Sequence, residues 1–538
     1  YPCDIPTIGT TCKTVLRWNK NMKAASNIGL FILLIHVAVT LSKTFRGAVY
    51  EHAVILPDET VTKVSRDIAL RTMMKNLMVY QSQANIARQK NVDLLVFPED
   101  GIYGMQFTRA AIEPYLEYIP NPETDPWNPC ENPVKYPSTE VQLFLSCLAK
   151  NNSLYLVANV GDKQLCNKSH DPQCPVDGHY QYNTNVVYDK TGKLVAKYHK
   201  ENLFYEFQFD NPVNEPPVSF DTPFGKFGTF TCFDILFYDP PMRLIEEKGI
   251  RNIVFPTAWM DALPLLAAVQ FHAAFAAGMK INFLTANIHR PHAKFQGSGI
   301  YTPLGALDFY YNDLTDDGKL LIKDIDILQE GHARNISFRE NFQHFDSMIH
   351  ASSDYRKGYQ FKALVFGDLF NFESLSNDSG IITVCHNRLC CQLEYVRNGT
   401  MNSDLFAFGA FDGLHTFEGR YYIQVCALLK CKHNEHHSCG GPTKTSRTVF
   451  QYIHISGNFE RNYIFPEILL TSQGKLELPP IGKWSYNESG LDTTGLDSPL
   501  LSASLFSRVY AMDNSSICCL SNVALLLSIF CLLILHLD

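Results

Sequence analysis

Beyond about residue 47, the chain alternates strand-like and helix-like hydrophobic patterns. Residues 49–56 are mostly apolar and predict a strand. The next apolar positions recur every three or four residues, as the buried face of a helix requires. They are Leu70, Met73, Met74, Leu77, Tyr80, Ala84 and Ala87. Residues 94–97 are continuously apolar, which predicts a strand in a sheet that is covered on both faces.

The same order of helix and strand recurs twice further along the chain. Residues 141–149 and 263–279 predict helices, and each is followed by an apolar strand, at 154–160 and at 281–288. Residues 227–231 predict a further strand. Together these patterns predict a layered α/β domain in which helices cover a sheet.

The pattern changes after about residue 345, where helical spacing fades into short alternating segments. Residues 421–425 and 449–455 are examples, and both predict strands. We therefore expect an α/β domain at residues 43–344 and a β-rich domain at residues 345–512.

Composition and charge limit the classes of function. The chain has 538 residues, of which 46% are hydrophobic and 19% charged, so it is globular and too long for one ordinary domain. Its formal net charge is -8, and no cluster of basic residues offsets that charge. We expect no nucleic-acid partner, because such binding relies on clustered positive charge. A small-molecule substrate fits this composition better.

The first 42 residues predict a secretory signal. Met22 is followed by Lys23 and by an apolar run at 28–39, which ends in small residues at 40–42. About 12 apolar residues are too few to span a bilayer. We expect residues 22–42 to be a signal peptide and residues 1–21 to be an upstream or non-native extension. The alternative is a buried helix.

The other end predicts a lipid attachment signal. Residues 523–537 are apolar, and no Lys or Arg follows them. Small residues beside Asn514 and a short spacer precede this run, an arrangement typical of glycosylphosphatidylinositol (GPI) attachment. We expect residues 513–538 to be that signal, with Asn514 as the candidate attachment site. A retained membrane span and an inert tail are the alternatives. The expected location is the extracellular face of the plasma membrane, with a secreted form as a second location.

Sequons and cysteine parity agree with secretion. The glycosylation candidates, each in an Asn-x-Ser/Thr match, are Asn151, Asn167, Asn335, Asn377, Asn398 and Asn487. Between the predicted signal and the predicted tail lie 11 of the 16 cysteines. Because 11 is odd, at least one thiol must be free in an oxidising compartment.

Three side chains at strand ends are candidates for chemistry. Cys232 follows the predicted strand 227–231, and a thiol attacks only as the thiolate, which needs a base or a cationic neighbour. Lys200 follows a predicted hairpin with its turn at 189–192 and could stabilise an oxyanion. Glu99 follows the buried strand and could carry a proton. Taken singly, each has an ordinary alternative: a packed or disulfide-bonded cysteine, a surface lysine and a loop glutamate.

These residues lie in three ordered motifs that resemble the nitrilase superfamily, and specifically its vanin and biotinidase branch. The motifs are Phe-Pro-Glu at 97–99, Tyr-x-Lys-x-x-Leu-Phe at 198–204 and Thr-Cys-Phe-Asp at 231–234. Further segments that resemble this branch are residues 96–104, 231–237, 255–260, 297–301, 385–391 and 409–422. The resemblance extends over roughly residues 48–512.

The resemblance implies an αββα sandwich and an amide hydrolysis that passes through a cysteine thioester. Carried onto the matching positions, it makes Cys232 the nucleophile and Lys200 the group that stabilises the tetrahedral intermediate. Glu99 becomes the general base and acid. Glu206 is the candidate second glutamate near the lysine. The resemblance implies no cofactor and no metal.

The substrate of the family branch is open between two amides. Vanins split pantetheine into pantothenate and cysteamine, whereas biotinidase releases biotin from biocytin. The predicted GPI signal and the compact span between 297 and 385 favour the vanin activity, while residues 205–210 are closer to biotinidase. A third alternative is a catalytically silent cell-surface binding ectodomain.

One other cluster has the spacing of a metal site. Cys431 and Cys439 flank His433, His436 and His437. In a secreted chain such cysteines more often form disulfides, so we expect no metal there.

Overall fold

The computed structural model describes residues 43–331, 358–398, 404–460, 463–487 and 489–513. The predicted signal peptide, the predicted boundary at 344 and 345, Asn335 and Asn514 lie outside these ranges. Within the described ranges, no helix is long and apolar enough to cross a bilayer.

The first domain contains two six-stranded sheets and four α-helices. Its helices are α1 (Arg66–Gln89), α2 (Arg109–Ile112), α3 (Glu140–Asn152) and α4 (Ala268–Met279). Its strands are β1 (Thr44–Glu51), β2 (Leu94–Val96), β3 (Tyr155–Leu165), β4 (His179–Tyr188), β5 (Leu194–His199), β6 (Ser219–Asp221), β7 (Lys226–Thr229), β8 (Asn252–Thr257), β9 (Asn282–Asn287), β10 (Ser298–Thr302), β11 (Gly305–Tyr310) and β12 (Lys319–Asp326). The strand orders are β12-β1-β2-β3-β4-β5 and β11-β10-β9-β8-β7-β6.

The two sheets pack face to face, and helices cover their outer faces. Along β1, Val49 joins the core between the sheets, whereas Ala48 and Tyr50 join the core beneath α1 and α3. This alternation follows from the two-residue period of a strand. Helix α4 covers the outer face of the second sheet. The predicted αββα sandwich is therefore confirmed.

Several predicted elements have different bounds in the structure, and two of these differences have a clear physical cause. The first strand ends at Glu51, not at residue 56, because Asn76 takes over the backbone bonds of Ile55. Helix α4 begins at Ala268, not at residue 263. Pro264 lacks an N–H and disfavours helical backbone in the residue before it, and Asp261 instead accepts the N–H of Ala268 at 2.9 Å.

The second domain is β-rich, as the alternating segments predicted, and the structure shows it to be an antiparallel sandwich. Its strands are β13 (Gln360–Val365), β14 (Asp368–Ser374), β15 (Ser379–His386), β16 (Leu389–Arg397), β17 (Phe406–His415), β18 (Tyr421–Lys430), β19 (Phe450–Gly457), β20 (Ile464–Ser472), β21 (Lys475–Glu477), β22 (Trp484–Asn487), β23 (Gly490–Thr494) and β24 (Leu500–Arg508). The orders are β13-β14-β17-β18-β24-β20-β21 and β15-β16-β19-β23-β22.

Helix α4 joins the two domains through a shared apolar core. Phe271 and Phe275 of α4 place their rings 5.8 Å and 5.1 Å from the ring of Phe465 on β20. Gln270 also donates to Glu467 at 3.2 Å in the same interface. The second domain therefore buries a face of α4 that would otherwise meet solvent.

Five disulfides and one free thiol account for the cysteines in the described ranges. The bridges are Cys130–Cys147, Cys166–Cys174, Cys385–Cys390, Cys391–Cys426 and Cys431–Cys439. The free cysteine is Cys232. This pairing confirms the prediction that at least one thiol is free. It also shows that Cys431 and Cys439 form a disulfide.

Candidate active site

Three strand ends bring the predicted residues together inside the first domain. Glu99 follows β2, Lys200 follows β5 and Cys232 follows β7 on the opposing sheet. All three are buried, with exposed fractions of 1%, 2% and 6%. Burying a charged lysine costs free energy unless the ammonium is paired, so the partners of Lys200 define the site.

The ammonium of Lys200 binds two carboxylates. Its Nζ lies 2.7 Å from Oε1 of Glu99, and it makes a second short contact with Oε2 of Glu206. An ammonium has three N–H donors, so these contacts leave one donor for another acceptor. The structure thus places the candidate second glutamate, Glu206, on the predicted lysine.

The glutamates are held by further donors. Nδ2 of Asn183 donates to Oε1 of Glu99 at 2.8 Å and to Oε1 of Glu206 at 2.6 Å. The backbone N–H of Ala258 donates to the other oxygen of Glu99 at 2.8 Å. Both oxygens of Glu99 are therefore occupied, and its carboxylate has a fixed orientation.

A single tight turn carries the free thiol. The 3-10 turn Cys232–Leu236 begins directly at the cysteine. The φ angle of Cys232 is +45°, in the left-handed region that residues other than glycine seldom adopt. Such strain occurs most often at functional sites, where the surrounding structure enforces it.

Hydrogen bonds to Asp234 hold this turn in place. Asp234 accepts from the hydroxyl of Tyr198 at 2.6 Å and from the backbone N–H groups of Thr231 and Asn202 at 3.0 and 2.8 Å. Tyr198 and Asn202 flank Lys200 in the chain, so Asp234 connects the turn of the thiol to the segment of the lysine.

Burial and charge set the resting protonation of the site. Burial lowers the pKa of Lys200, but the charges of Glu206 and Glu99 outweigh it and hold that pKa well above its ordinary value. Burial and the charge of Glu99 raise the pKa of the Cys232 thiol well above its ordinary value, against the opposing effect of Lys200. The resting site therefore holds a charged lysine and a neutral thiol, and the thiol needs a base in order to attack.

A third carboxylate lies beside the two glutamates. Oxygens of Glu99, Asp100 and Glu206 lie within 4.8 Å of one another, a spacing that could suit a cation. Burial, followed by the charges of Glu99 and Glu206, raises the pKa of Asp100 well above its ordinary value. We assign no metal to this cluster, because the ammonium of Lys200 already lies between Glu99 and Glu206.

Aromatic side chains of the first domain and backbone of the second domain lie beside the site. The rings of Phe204 and Phe233 meet edge to face at 5.0 Å. A Cβ atom at Gly419 of the second domain would lie 2.8 Å from Cζ of Phe233, so that backbone packs directly on the ring. The hydroxyl of Tyr205 lies 3.5 Å from the carbonyl oxygen of Phe417. The β17–β18 turn of the second domain therefore contacts neighbours of both Cys232 and Glu206.

Sequence reasoning identified the charged residues of the site but missed Asn183, Ala258 and Asp234. Asn183 gave no clear signal, because its strand also contains the polar residues His179, Gln181, Thr184 and Asn185. Ala258 acts through its backbone N–H, which leaves no mark in the sequence. The glycosylation candidates Asn151, Asn167, Asn398 and Asn487 are exposed and Asn377 is partly exposed, all away from this buried centre.

Two family models match the chain. The carbon-nitrogen hydrolase model matches residues 59–282, and the vanin C-terminal domain model matches residues 359–513. The first match contains Glu99, Lys200, Glu206 and Cys232, and the second covers the antiparallel sandwich.

Curated relatives match nearly the whole chain. Pantetheinase of Homo sapiens is 47% identical over 489 residues, which cover 90% of this chain and 93% of that protein. Pantetheinase of Mus musculus is 47% identical over 476 residues, 88% of this chain and 90% of that protein. Biotinidase of Mus musculus is 42% identical over 487 residues, 86% of this chain and 92% of that protein. The chain therefore belongs to the vanin and pantetheinase family of carbon-nitrogen hydrolases.

Proposed function

We propose that this enzyme hydrolyses the amide bond of pantetheine, with Cys232 as nucleophile, Glu99 as proton carrier and Lys200 as the cation of the oxyanion site. The observation that carries the proposal is the buried free thiol beside an ammonium that two glutamates bind. The identity to two pantetheinases over nine-tenths of the chain supports the choice of amide.

The first half of the reaction forms a thioester. Glu99 takes the proton of the thiol while the sulfur attacks the amide carbonyl carbon. The third N–H of Lys200 stabilises the negative oxygen of the tetrahedral intermediate. Glu99 then gives the proton to the amide nitrogen, the C–N bond breaks, and cysteamine leaves. The pantothenoyl group remains on Cys232.

The second half returns the enzyme to its starting state. A water molecule gives a proton to Glu99 and attacks the thioester carbonyl carbon. Lys200 again stabilises the negative oxygen. The C–S bond breaks, pantothenate leaves, and Cys232 regains its proton from Glu99.

Biocytin is the second candidate substrate, because a biotinidase is 42% identical to the chain. A side-by-side assay separates the two, with cysteamine release from pantetheine and biotin release from biocytin measured on the same preparation. We expect pantetheine to be turned over with the higher kcat/KM. A higher value for biocytin would transfer the proposal to that amide.

The same assay tests the mechanism. Cys232→Ala should abolish cysteamine release, and Cys232→Ser should reduce it strongly, because a serine hydroxyl is a much weaker nucleophile. Equal rates for wild type and Cys232→Ala would overturn the mechanism. An inactive wild type on both amides would favour a silent binding ectodomain.

We also propose that the chain is secreted, glycosylated and attached to the outer face of the plasma membrane through a GPI lipid at Asn514. The apolar run at 523–537 and the small residues beside Asn514 support the attachment. The exposure of four sequon asparagines supports glycosylation, since a transferase needs access to the side chain.

Release from intact cells tests the anchor. Phosphatidylinositol-specific phospholipase C should release the protein from the cell surface into the medium, and deletion from Val523 onward should place it in the medium without phospholipase treatment. Surface retention after both treatments would contradict a GPI anchor. Loss from the surface by deletion, without release by the phospholipase, would instead indicate a retained membrane span.

A further inference from the structure

Asn183 is a neutral residue that contacts both glutamates of the site and the backbone of Lys200. Its Nδ2 donates to Glu99 at 2.8 Å and to Glu206 at 2.6 Å, so both of its N–H groups point at carboxylates. Its Oδ1 accepts from Nδ2 of Asn159 at 2.6 Å. Its backbone oxygen accepts the N–H of Lys200 at 2.8 Å.

The geometry fixes which way the amide is oriented. Asn159 also donates to Oδ1 of Asn185 at 3.0 Å, so its NH2 group faces two amide oxygens. Oδ1 of Asn159 is occupied by the backbone N–H of Asp100 at 3.1 Å. With Oδ1 of Asn183 held by Asn159, only its donors face the glutamates. A donor-only contact favours the ionised form of a carboxylate.

The charge balance of the site makes these donors consequential. Two glutamates and Asp100 face one ammonium, and Cys232 and Tyr103 border the same cluster. Carboxyl groups therefore outnumber the cation, and repulsion between carboxylate charges favours protonation of one of them. Burial, against the effect of Lys200, raises the pKa of Glu206. The two neutral donors of Asn183 oppose that protonation without adding charge.

We infer that Asn183 is a positioning residue that holds Glu99 and Glu206 together on the Lys200 ammonium and keeps both carboxylates ionised for proton transfer. This inference rests on the proposed function, because it assigns to Glu99 the role of proton carrier. Without the amide, Glu206 takes up a proton at a higher pH, and Glu99 loses a contact that holds it in place to accept the thiol proton.

Asn185 provides a matched control on the same strand. It is two residues away, faces the same side, is fully buried and shares the contact with Asn159. Its Nδ2 donates to Oγ1 of Thr229 at 2.9 Å, not to a carboxylate. Alanine at either position removes a buried amide. Only the change at Asn183 removes hydrogen-bond donors to the glutamates.

The test compares Asn183→Ala with Asn185→Ala in the full chain. For Asn183→Ala we expect the acid limb of the kcat/KM profile for pantetheine to move to higher pH by about one unit, with KM nearly unchanged. The loss in kcat/KM should be about tenfold greater at pH 5 than at pH 8. Asn185→Ala should leave the midpoint of the limb in place. Equal midpoints for the two variants would overturn the inference.

Two further measurements keep the result decisive. Asn183→Leu has the branched shape of asparagine without its donors and should show the same shift if the alanine variant folds poorly. Unfolding by denaturant gives a readout independent of substrate. Relative to Asn185→Ala, Asn183→Ala should be less stable at pH 8, and the difference should shrink by pH 5 as the carboxylates take up protons.

These readouts separate the two claims. If the protein does not hydrolyse pantetheine but the stability difference depends on pH as expected, the proposed function fails and the role of Asn183 stands. If Cys232→Ala abolishes hydrolysis but Asn183→Ala shifts neither the limb nor the stability difference, the proposed function stands and Asn183 has no positioning role.

Discussion

Lys200 shows how one buried charge can organise a site. Its ammonium binds Glu99 and Glu206 in the interior, where an unpaired charge would be very costly. The pairing has two consequences. It gives the lysine a fixed position beside Cys232, and it makes the stability of the domain depend on that lysine.

Removing this ammonium should cost stability as well as activity. In Lys200→Met the two glutamates lose their counter-ion, and we expect a loss of about 3–5 kcal/mol in the free energy of unfolding. The triple change Lys200→Met, Glu99→Gln and Glu206→Gln should recover much of that stability and none of the activity.

An exposed ion pair gives the control for this prediction. Lys150 lies 3.0 Å from Glu131 with both side chains largely in solvent. Lys150→Met should cost about 0–1 kcal/mol, as is typical for surface pairs. Denaturant titration measures all three variants. Equal losses for Lys200→Met and Lys150→Met would contradict the pairing described above.

At the scale of elements, the strand ends were predictable because burial leaves a clear pattern. A continuous apolar run placed Glu99 after a buried strand, the predicted strand 227–231 placed Cys232 at its end, and the hairpin placed Lys200 after β5. The resemblance then gave each residue a role. What joined them in space was the packing of two sheets, which no periodicity within one strand could reveal.

Other parts of the site lie beyond what sequence patterns can predict. Ala258 contributes a backbone N–H, and the orientation of the Asn183 amide depends on Asn159, which is 24 residues away. The start of α4 was placed too early because helical spacing continues through Pro264. Tertiary contacts, and not local propensity, decide each of these features.

The β17–β18 turn contains a histidine between two carboxylates. His415 lies 2.7 Å from Asp368 and 2.7 Å from Glu418, and its ring stacks on Tyr421 at 4.6 Å. Although burial lowers the pKa of His415, hydrogen bonds to the two carboxylates raise it to about 9. Near neutral pH the imidazolium therefore links Glu418 of the β17–β18 turn to Asp368 at the start of β14.

This histidine should make stability depend on alkaline pH. The pKa of His415 is higher in the folded protein than in the unfolded chain. Its contribution to the free energy of unfolding is therefore complete below about pH 6.5 and is lost as the pH rises through about 9. We expect a contribution of about 3 kcal/mol, because one pKa unit corresponds to about 1.4 kcal/mol. His415→Gln should remove it, so wild type and variant should differ at pH 6 and converge near pH 10 in denaturant unfolding. A difference that does not depend on pH would contradict the assignment.

At the scale of the whole molecule, the second domain supports the first where the chemistry is placed. Arg508 of β24 donates to the carbonyl oxygen of Leu236 at 2.6 Å, and Leu236 ends the turn that begins with Cys232. The β17–β18 turn reaches Phe233 and Tyr205 from the other side. The antiparallel sandwich is thus part of the surroundings of the nucleophile.

The contact between the β17–β18 turn and Tyr205 predicts a role for Phe417 in substrate binding. Its side chain is 54% exposed, and its carbonyl oxygen lies near the hydroxyl of Tyr205, beside Glu206. Phe417→Ala should raise KM for pantetheine several-fold with kcat nearly unchanged, because it loosens the turn that packs on Phe233 and Tyr205 without touching Lys200. Steady-state kinetics measures both constants.

Val134 is the matched control for Phe417. It is 87% exposed, and its loop contacts the β4–β5 turn through the bond from Asn128 to Thr191, at the end of β5 opposite Lys200. Val134→Ala should leave both constants unchanged. A rise in KM for both variants, or for neither, would contradict a specific role of the second domain in substrate binding.

The central claim is that Cys232 carries the acyl group during catalysis. The most direct test is to mix the enzyme with pantetheine, quench with acid within a turnover, and locate any adduct by peptide mass spectrometry. We expect a pantothenoyl thioester on Cys232 that disappears as pantothenate forms, and no such adduct in Cys232→Ala. An adduct on another residue, or full cysteamine release by Cys232→Ala, would contradict this claim.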